Sequence, residues 1–211
     1  MRNTPHSVAR MTIELLTALA TFAFVTVITP GPNNLMLMAS GTNFGFWRSI
    51  PHMLGVGLGF PMMVVGVGLG VMQVFDIWPA SYMLLKLASV AYLLWLAWKI
   101  AHAAPPASAE AAPEGRPLTF LQSAAFQWVN PKAWSMALSA ITLYATGRDL
   151  AAVLWVAGVY VACGTISTTS WTVLGQQMRR LLRNPARLRL FNRVMAVLLV
   201  ATLVPVLWPA G

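Results

Sequence analysis

The sequence predicts an all-α polytopic membrane protein with six transmembrane helices, arranged as two inverted three-helix repeats. Hydrophobic residues make up 58% of the chain and charged residues only 9%, whereas soluble domains usually carry about 25% charged residues. The apolar residues fall into six long segments. A linker rich in Ala and Pro divides these segments into two groups of three, and because three is odd, the second group must cross the membrane in the opposite direction.

The six segments cover residues 13–38, 49–73, 79–100, 120–145, 150–174 and 191–209. Each is long enough for one crossing at a rise of about 1.5 Å per residue. The domain boundaries that follow are a polar N-terminal extension (1–12), a first repeat (13–101), a cytoplasmic linker (102–118) and a second repeat (119–211). Met1 and Met11 both remain possible starts.

The distribution of Lys and Arg predicts the orientation. The loops after segments one, three and five, with the segment ends beside them, hold nine of these residues, and the remaining loops and termini hold three, namely Arg2, Arg10 and Arg148. Positive residues favour the cytoplasmic side, so both termini are expected outside. Because Arg2 and Arg10 precede the first helix, an inside N-terminus stays open as the alternative. The basic loop 179–193 is expected to lie on anionic lipids of the cytoplasmic leaflet.

The first segment contains a break. Its uncharged run from Leu15 to Trp47 is interrupted by six consecutive residues: Thr29, Pro30, Gly31, Pro32, Asn33 and Asn34. Proline removes a backbone donor and clashes with the preceding turn. Backbone groups freed inside a bilayer are tolerated only where protein buries them or where they line a wet cavity. A broken helix with polar residues at the break therefore indicates a candidate solute site.

The fourth segment contains a matching break. Asn130 and Pro131 occupy the place that Thr29 and Pro30 occupy in the first segment, with a polar residue before a proline deep in the first helix of each half, and Gln127 lies three residues before Asn130. Interrupted helices at corresponding positions favour an inverted-repeat transporter. Two unrelated prolines are the alternative.

Lys132 follows the second break, about twelve residues and hence roughly 18 Å into its segment. A charge near the midplane is costly and usually faces a cavity or a partner. For Lys86, which is shallower, snorkelling toward the outer interface is expected. No acidic residue falls near the midplane. A substrate carboxylate would suit Lys132 and the helix start after Pro32, while freed carbonyls or amide side chains would hold an amine. The site is thus expected to take a small zwitterion.

The second segment is rich in glycine. Gly55 with Gly59, and Gly66 with Gly70, form small-xxx-small pairs that are expected to let helices pack closely. The chain shows no sequence pattern of an enzyme, a metal site or a cofactor site, and its single Cys163 excludes a two-thiol relay. The positive charge lies in loops between apolar runs, so a nucleic-acid partner is not expected.

The residues TPGPNN at 29–34, the glycine run from Gly55, AYLLWLAWKI at 91–100 and FQWVNPKAW at 126–134 resemble the LysE/RhtB family of amino-acid exporters over nearly the whole chain. The last two stretches are most similar to the branch that exports cysteine and O-acetylserine. The resemblance implies a bacterial inner-membrane exporter with inverted repeats that is coupled to the proton gradient.

The sequence therefore predicts a secondary transporter that exports small neutral amino acids or their derivatives by alternating access. The alternatives are a membrane scaffold or assembly factor that moves nothing, and a passive small-solute channel. Whether the chain forms a homo-oligomer stays open.

Overall fold

The computed structural model describes residues 13–71, 73–103, 115–145, 149–182 and 184–207. The predicted extension 1–12, with Met11, and residues 104–114 of the predicted linker lie outside these ranges. The described residues form ten helices and no strand: α1 (Ile13–Ile28), α2 (Pro32–Phe44), α3 (Phe46–Gly68), α4 (Gln73–Ile77), α5 (Ala80–Ala101), α6 (Phe120–Gln127), α7 (Pro131–Tyr144), α8 (Leu150–Leu181), α9 (Pro185–Ala201) and α10 (Val204–Leu207).

Fewer helices than the predicted six are long and apolar enough to cross a membrane alone. Among the described residues three qualify, namely α3, α5 and most of α8, and α1 with α2 makes a fourth if this pair, bent by 56°, counts as one span. The fourth predicted segment is divided into α6 and α7, of 8 and 14 residues. The sixth is represented mainly by α9, of 17 residues, at the short end of what spans a bilayer.

The predicted basic loop 179–193 is mostly helical, which corrects the sequence interpretation. Helix α8 continues through Leu181 and α9 begins at Pro185, so Arg179 lies on one helix and Arg193 on the next. The start of α9 is fixed by Asn184, whose side chain accepts from the backbone N–H of Ala186 at 2.8 Å. An Asn cap followed by Pro is a strong helix start, but the predicted sixth segment begins only at residue 191.

Helix α2 packs closely against α8 through two glycines. A Cβ atom built on Gly41 would collide with the carbonyl of Thr172, and one on Gly175 would collide with the carbonyl of Met38. Helix α3 packs in turn against α8 and α6, and α5 packs against α9. Helices α2 and α8 therefore lie at the centre of the bundle, next to the first break.

The bundle has a basic end and an opposite, acidic end. At the basic end, the side-chain amides of Asn43 in α2 and Asn192 in α9 exchange two hydrogen bonds of 2.9 and 3.0 Å, and Arg48 at the start of α3 donates to the Gly115 carbonyl at 2.9 Å. The described acidic residues instead lie at helix starts toward the other end, namely Glu14 in α1, Asp76 in α4 and Asp149 before α8. The predicted orientation would place the basic end on the cytoplasmic side.

Candidate functional site

Side chains bind three of the carbonyl groups at the first break. Pro30 and Pro32 cannot donate a backbone hydrogen bond, and Gly31 between them is fully extended, with φ −174° and ψ −178°. The carbonyl bonds are Asn34 Nδ2 to Val27 O at 2.7 Å and to Thr29 O at 2.9 Å, Ser167 Oγ to Val27 O at 2.7 Å, Trp171 Nε1 to Ile28 O at 3.1 Å, and Lys132 Nζ to Thr29 O at 2.7 Å. Protein side chains thus hold the backbone of the break in place at Val27, Ile28 and Thr29.

Lys132 reaches this break across Gly31. Its Nζ donates to the Thr29 carbonyl at 2.7 Å. A Cβ built on Gly31 would lie 2.8 Å from Lys132 Cδ and 3.1 Å from Nζ. Because the backbone of Gly31 is extended, its conformation does not require glycine, and the need for glycine comes from the passage of the Lys132 side chain.

Asn130 caps the helix that follows the second break. Helix α6 ends at Gln127 and α7 begins at Pro131, with Asn130 Oδ1 accepting from the Lys132 backbone N–H at 3.1 Å. Asn130 is 2% exposed. An Asn cap and a first-turn proline explain why the chain restarts as a helix at this point.

The two breaks touch each other. Asn33 Nδ2 donates to Gln127 Oε1 at 2.8 Å, and Gln127 Nε2 donates back to Asn33 Oδ1 at 3.1 Å. Gln127 also donates to the Ser123 carbonyl at 2.9 Å. Together with the bond between Lys132 and Thr29, this amide pair brings the residues singled out at both breaks into one centre, and Pro30, Pro32 and Pro131 shape the backbone around it.

A small cavity lies at this centre. Its volume is about 40 Å³, and its lining includes Gly31, Asn33, Asn34, Asn130 and Lys132. A water molecule needs roughly 10–15 Å³ on this measure. The cavity therefore has room for a few waters, and an amino acid requires the surrounding helices to move apart.

A larger cleft lies beside the breaks on the α5 side. It has a volume of about 600 Å³, and both Lys132 and Lys86 line it, with Ser89, Trp134 and Ser135. Lys86 was expected only to snorkel toward the interface, but it shares this cleft with Lys132. The cleft could hold an amino acid, and its cations suit a carboxylate group.

Helix α8 also contributes to the site, which was not predicted from the sequence. Ser167 and Thr168 are buried, and both line the central cavity with Tyr160. The signal was present as a polar run in an apolar segment, residues 165–171, TISTTSW. A run of small hydroxyl side chains in a membrane helix indicates helix contacts or a site.

The four predicted packing glycines lie in different environments. A Cβ on Gly55 would meet Phe120 and Ser123, and one on Gly59 would lie 2.6 Å from the Ala124 backbone, so both face α6. A Cβ on Gly66 would lie 2.8 Å from Trp128. Gly70 follows α3 with φ +98°, a conformation that favours glycine.

The described residues include no group of three or more His, Cys, Asp or Glu side chains that could hold a metal ion. Cys163 is buried in α8, where its Sγ lies 3.8 Å from the Ala20 carbonyl. The charged group at the centre is the ammonium of Lys132, and its partner is a backbone carbonyl.

Comparison with known proteins gives a consistent result. Residues 24–205 match the family model described as LysE type translocator. The chain is 35% identical over 196 residues to the cysteine/O-acetylserine efflux proteins of Escherichia coli (strain K12) and Shigella sonnei (strain Ss046), covering 90% of this chain and 96% of each relative. The expected resemblance is thereby confirmed. No solved structure matches the chain.

Proposed function

Since the chain belongs to the LysE family of translocators, whose curated relatives here are efflux transporters and not enzymes, we propose that it exports small neutral amino acids or their close derivatives across the bacterial inner membrane. The exporter role follows from the family. The substrate class rests on the chemistry of the centre, which offers one cation, several amide groups and carbonyl oxygens but no carboxylate.

The observation that carries this proposal is the bond between Lys132 Nζ and the Thr29 carbonyl, 2.7 Å long. The ammonium group of Lys132 thus already donates to the Thr29 carbonyl at the first break. The ammonium of a zwitterionic substrate offers the same donors, so it can replace Lys132 at Thr29. The released Lys132 then pairs with the substrate carboxylate, and binding loosens the contact between the two breaks.

This exchange supplies a simple route to alternating access. The central cavity of about 40 Å³ is too small for an amino acid, whereas the neighbouring cleft of about 600 Å³ is large enough. Movement of one half against the other would connect the centre to one side of the membrane at a time. Coupling to the proton gradient is part of what the family resemblance implies.

The arrangement of the halves as inverted repeats is part of the same proposal. We count α1–α2, α3, α5, α6–α7, α8 and α9 as six crossings. Two features support this count. Each half begins with a broken segment, and these two broken segments, α1–α2 and α6–α7, run in opposite directions. Along α3, Gly55 faces Phe120 and Gly66 faces Trp128, so α6 runs parallel to α3. In contrast, α1–α2 ends at the basic end, where α3 begins. The two broken segments therefore run in opposite directions.

The basic residues 179–193 are proposed to contact anionic lipids on the cytoplasmic side. The described cations of this segment include Arg179, Arg187, Arg189 and Arg193, at the ends of α8 and α9 that meet at the basic end. Each such residue near an anionic surface contributes about 1 kcal/mol of attraction.

A panel of radiolabelled amino acids tests the proposal. Cells that over-express the gene and cells that lack it are loaded with each amino acid, and the loss of label is followed. We expect faster efflux of small neutral amino acids or derivatives on over-expression and slower efflux on deletion. No difference for any solute would support a scaffold, and efflux that never saturates would support a channel.

A further inference from the structure

A second cavity lies at the basic end of the bundle, separate from the central cavity. Its volume is about 340 Å³, and it lies between α2, α3, the last turns of α5 and residues 115–118. Its apolar wall includes Met36, Leu96 and Leu118, all of them buried. A cavity of this size and character is typical of small-molecule sites.

His52 on α3 lines this cavity and is the unusual residue there. It is 1% exposed, and neither of its ring nitrogens has a hydrogen-bond partner among the described residues. Buried polar groups are almost always paired, and an unpaired one requires an explanation. Both ring nitrogens are enclosed, so His52 can donate a hydrogen bond to a molecule in the cavity only when its ring turns toward it.

The other buried polar groups of the cavity already have partners. Ser40 Oγ is 2.9 Å from Ser49 Oγ, and the Asn43 amide is bound to Asn192 and to the Ala39 carbonyl. His52 is therefore the group with unused hydrogen-bonding capacity.

The charges around the cavity point to an anionic group. Lys99 and Arg116 line it and are exposed, which places two cations at its solvent side. None of the described residues lining it is acidic. A ligand with a carboxylate can accept from these cations, and from His52 once its ring turns, while its uncharged part rests on the apolar wall.

We propose that this cavity is a second substrate site, which captures the carboxylate of the exported amino acid on the cytoplasmic side before the solute moves to the breaks. This inference rests on the proposed export function. The basic end is the predicted cytoplasmic side, from which an exporter receives its solute. One turn beyond His52, Val56 lines the central cavity, so the second site lies directly next to the path to the centre.

Histidine NMR tests the site directly, because the chain contains only three His residues, His6, His52 and His102. The full chain, labelled with ¹⁵N-histidine, is placed in phosphatidylcholine nanodiscs, and the His52 signal is assigned by its loss in the His52→Gln variant. O-acetyl-L-serine is then titrated in, with O-acetyl-L-serine methyl ester, which lacks the carboxylate, as the matched ligand. We expect a saturable shift of the His52 signal with the acid only.

Two variants separate this site from the centre. In Lys132→Met the His52 shift should persist, because the second site does not use Lys132. In Arg116→Gln the affinity should fall roughly tenfold, the effect of losing one charge-assisted hydrogen bond. A shift that disappears in Lys132→Met, or that the ester produces equally, would overturn the inference.

The remaining outcomes concern the identity of the ligand and the export function. If the His52 signal moves only when phosphatidylglycerol is added to the nanodisc, the cavity is a lipid site and the inference is wrong. If O-acetyl-L-serine is exported by cells but leaves the His52 signal unchanged, the inference fails and the export function stands. If the His52 signal responds but no amino acid is exported, the function fails while the site stands as a carboxylate site.

Discussion

Two residues, Gly31 and Lys132, explain the centre at the scale of single side chains. Both could be singled out from the sequence, the first as part of a helix break and the second as a charge near the midplane. Their relationship could not be predicted, because the 2.8 Å approach of Lys132 Cδ to a Cβ on Gly31 depends on how two distant segments pack. The sequence predicted that the freed carbonyls would be available to a substrate, but protein side chains bind those of Val27, Ile28 and Thr29.

Replacing Gly31 with Ala should disturb the position of Lys132 with little effect on folding. The extended backbone at Gly31 accepts any residue, but the added methyl group must displace the Lys132 side chain. We expect efflux to fall while the melting temperature in detergent stays close to that of the parent. Gly158→Ala is the matched control, because a Cβ at Gly158 has nothing within 4 Å. Normal efflux by Gly31→Ala would show that the position of Lys132 is unimportant.

At the scale of helices, the sequence predicted both breaks but misplaced several helix ends. Pro30 and Pro131 are strong local signals, and the structure interrupts its helices next to both. The extension of α8 to Leu181 was missed because the run of apolar residues ends before the arginines, whereas the helix itself continues through them. The contact of α2 with α8 was also missed, since Gly41 and Gly175 are single glycines far apart in sequence.

Asn33 and Gln127 should be energetically coupled, because each donates to the other. We expect a double-mutant cycle of Asn33→Ala and Gln127→Ala, read by thermal unfolding in detergent, to give a coupling of about 0.6 kcal/mol or more, the average for hydrogen-bonded pairs within a membrane protein. Additive effects of the two changes would indicate that the breaks do not contact each other in the folded protein.

Gly175 should tolerate no larger residue, because the α2 backbone lies against it. Gly175→Ala directs a methyl group at the Met38 carbonyl, and such overpacking typically costs about 1–3 kcal/mol. We expect a clear drop in melting temperature, while Gly158→Ala on the same helix leaves it unchanged. Equal stability of the two variants would contradict the close packing of α2 and α8.

At the scale of the whole molecule, composition predicted the all-helical membrane class, and the positions of Lys and Arg predicted one basic end. The number of crossings was less predictable, since α6, α7 and α9 are each shorter than a typical spanning helix. A hydropathy value averaged over a window of residues does not detect a short break, and it therefore indicates one long segment where the backbone forms two helices.

Cysteine labelling tests the orientation of the molecule. In a Cys163→Ala background, a cysteine at Asn184, beside the basic ends of α8 and α9, should react with an impermeant maleimide only after the membrane is permeabilised. A cysteine at Ile77, which is 82% exposed and lies in α4, should react in intact cells. The reverse pattern would place the basic end outside.

The central claim is that the two breaks form the transport site through Lys132, and efflux by the Lys132→Met variant measures this most directly. Met keeps the length of the side chain but removes the ammonium that binds Thr29. Lys86→Met is the comparison, since it removes the other lysine of the same cleft and leaves the bond between Lys132 and Thr29 in place. With equal amounts of protein in the membrane, we predict at least a roughly tenfold loss of efflux for Lys132→Met and a smaller loss for Lys86→Met. Efflux by Lys132→Met at the parental rate would contradict the account.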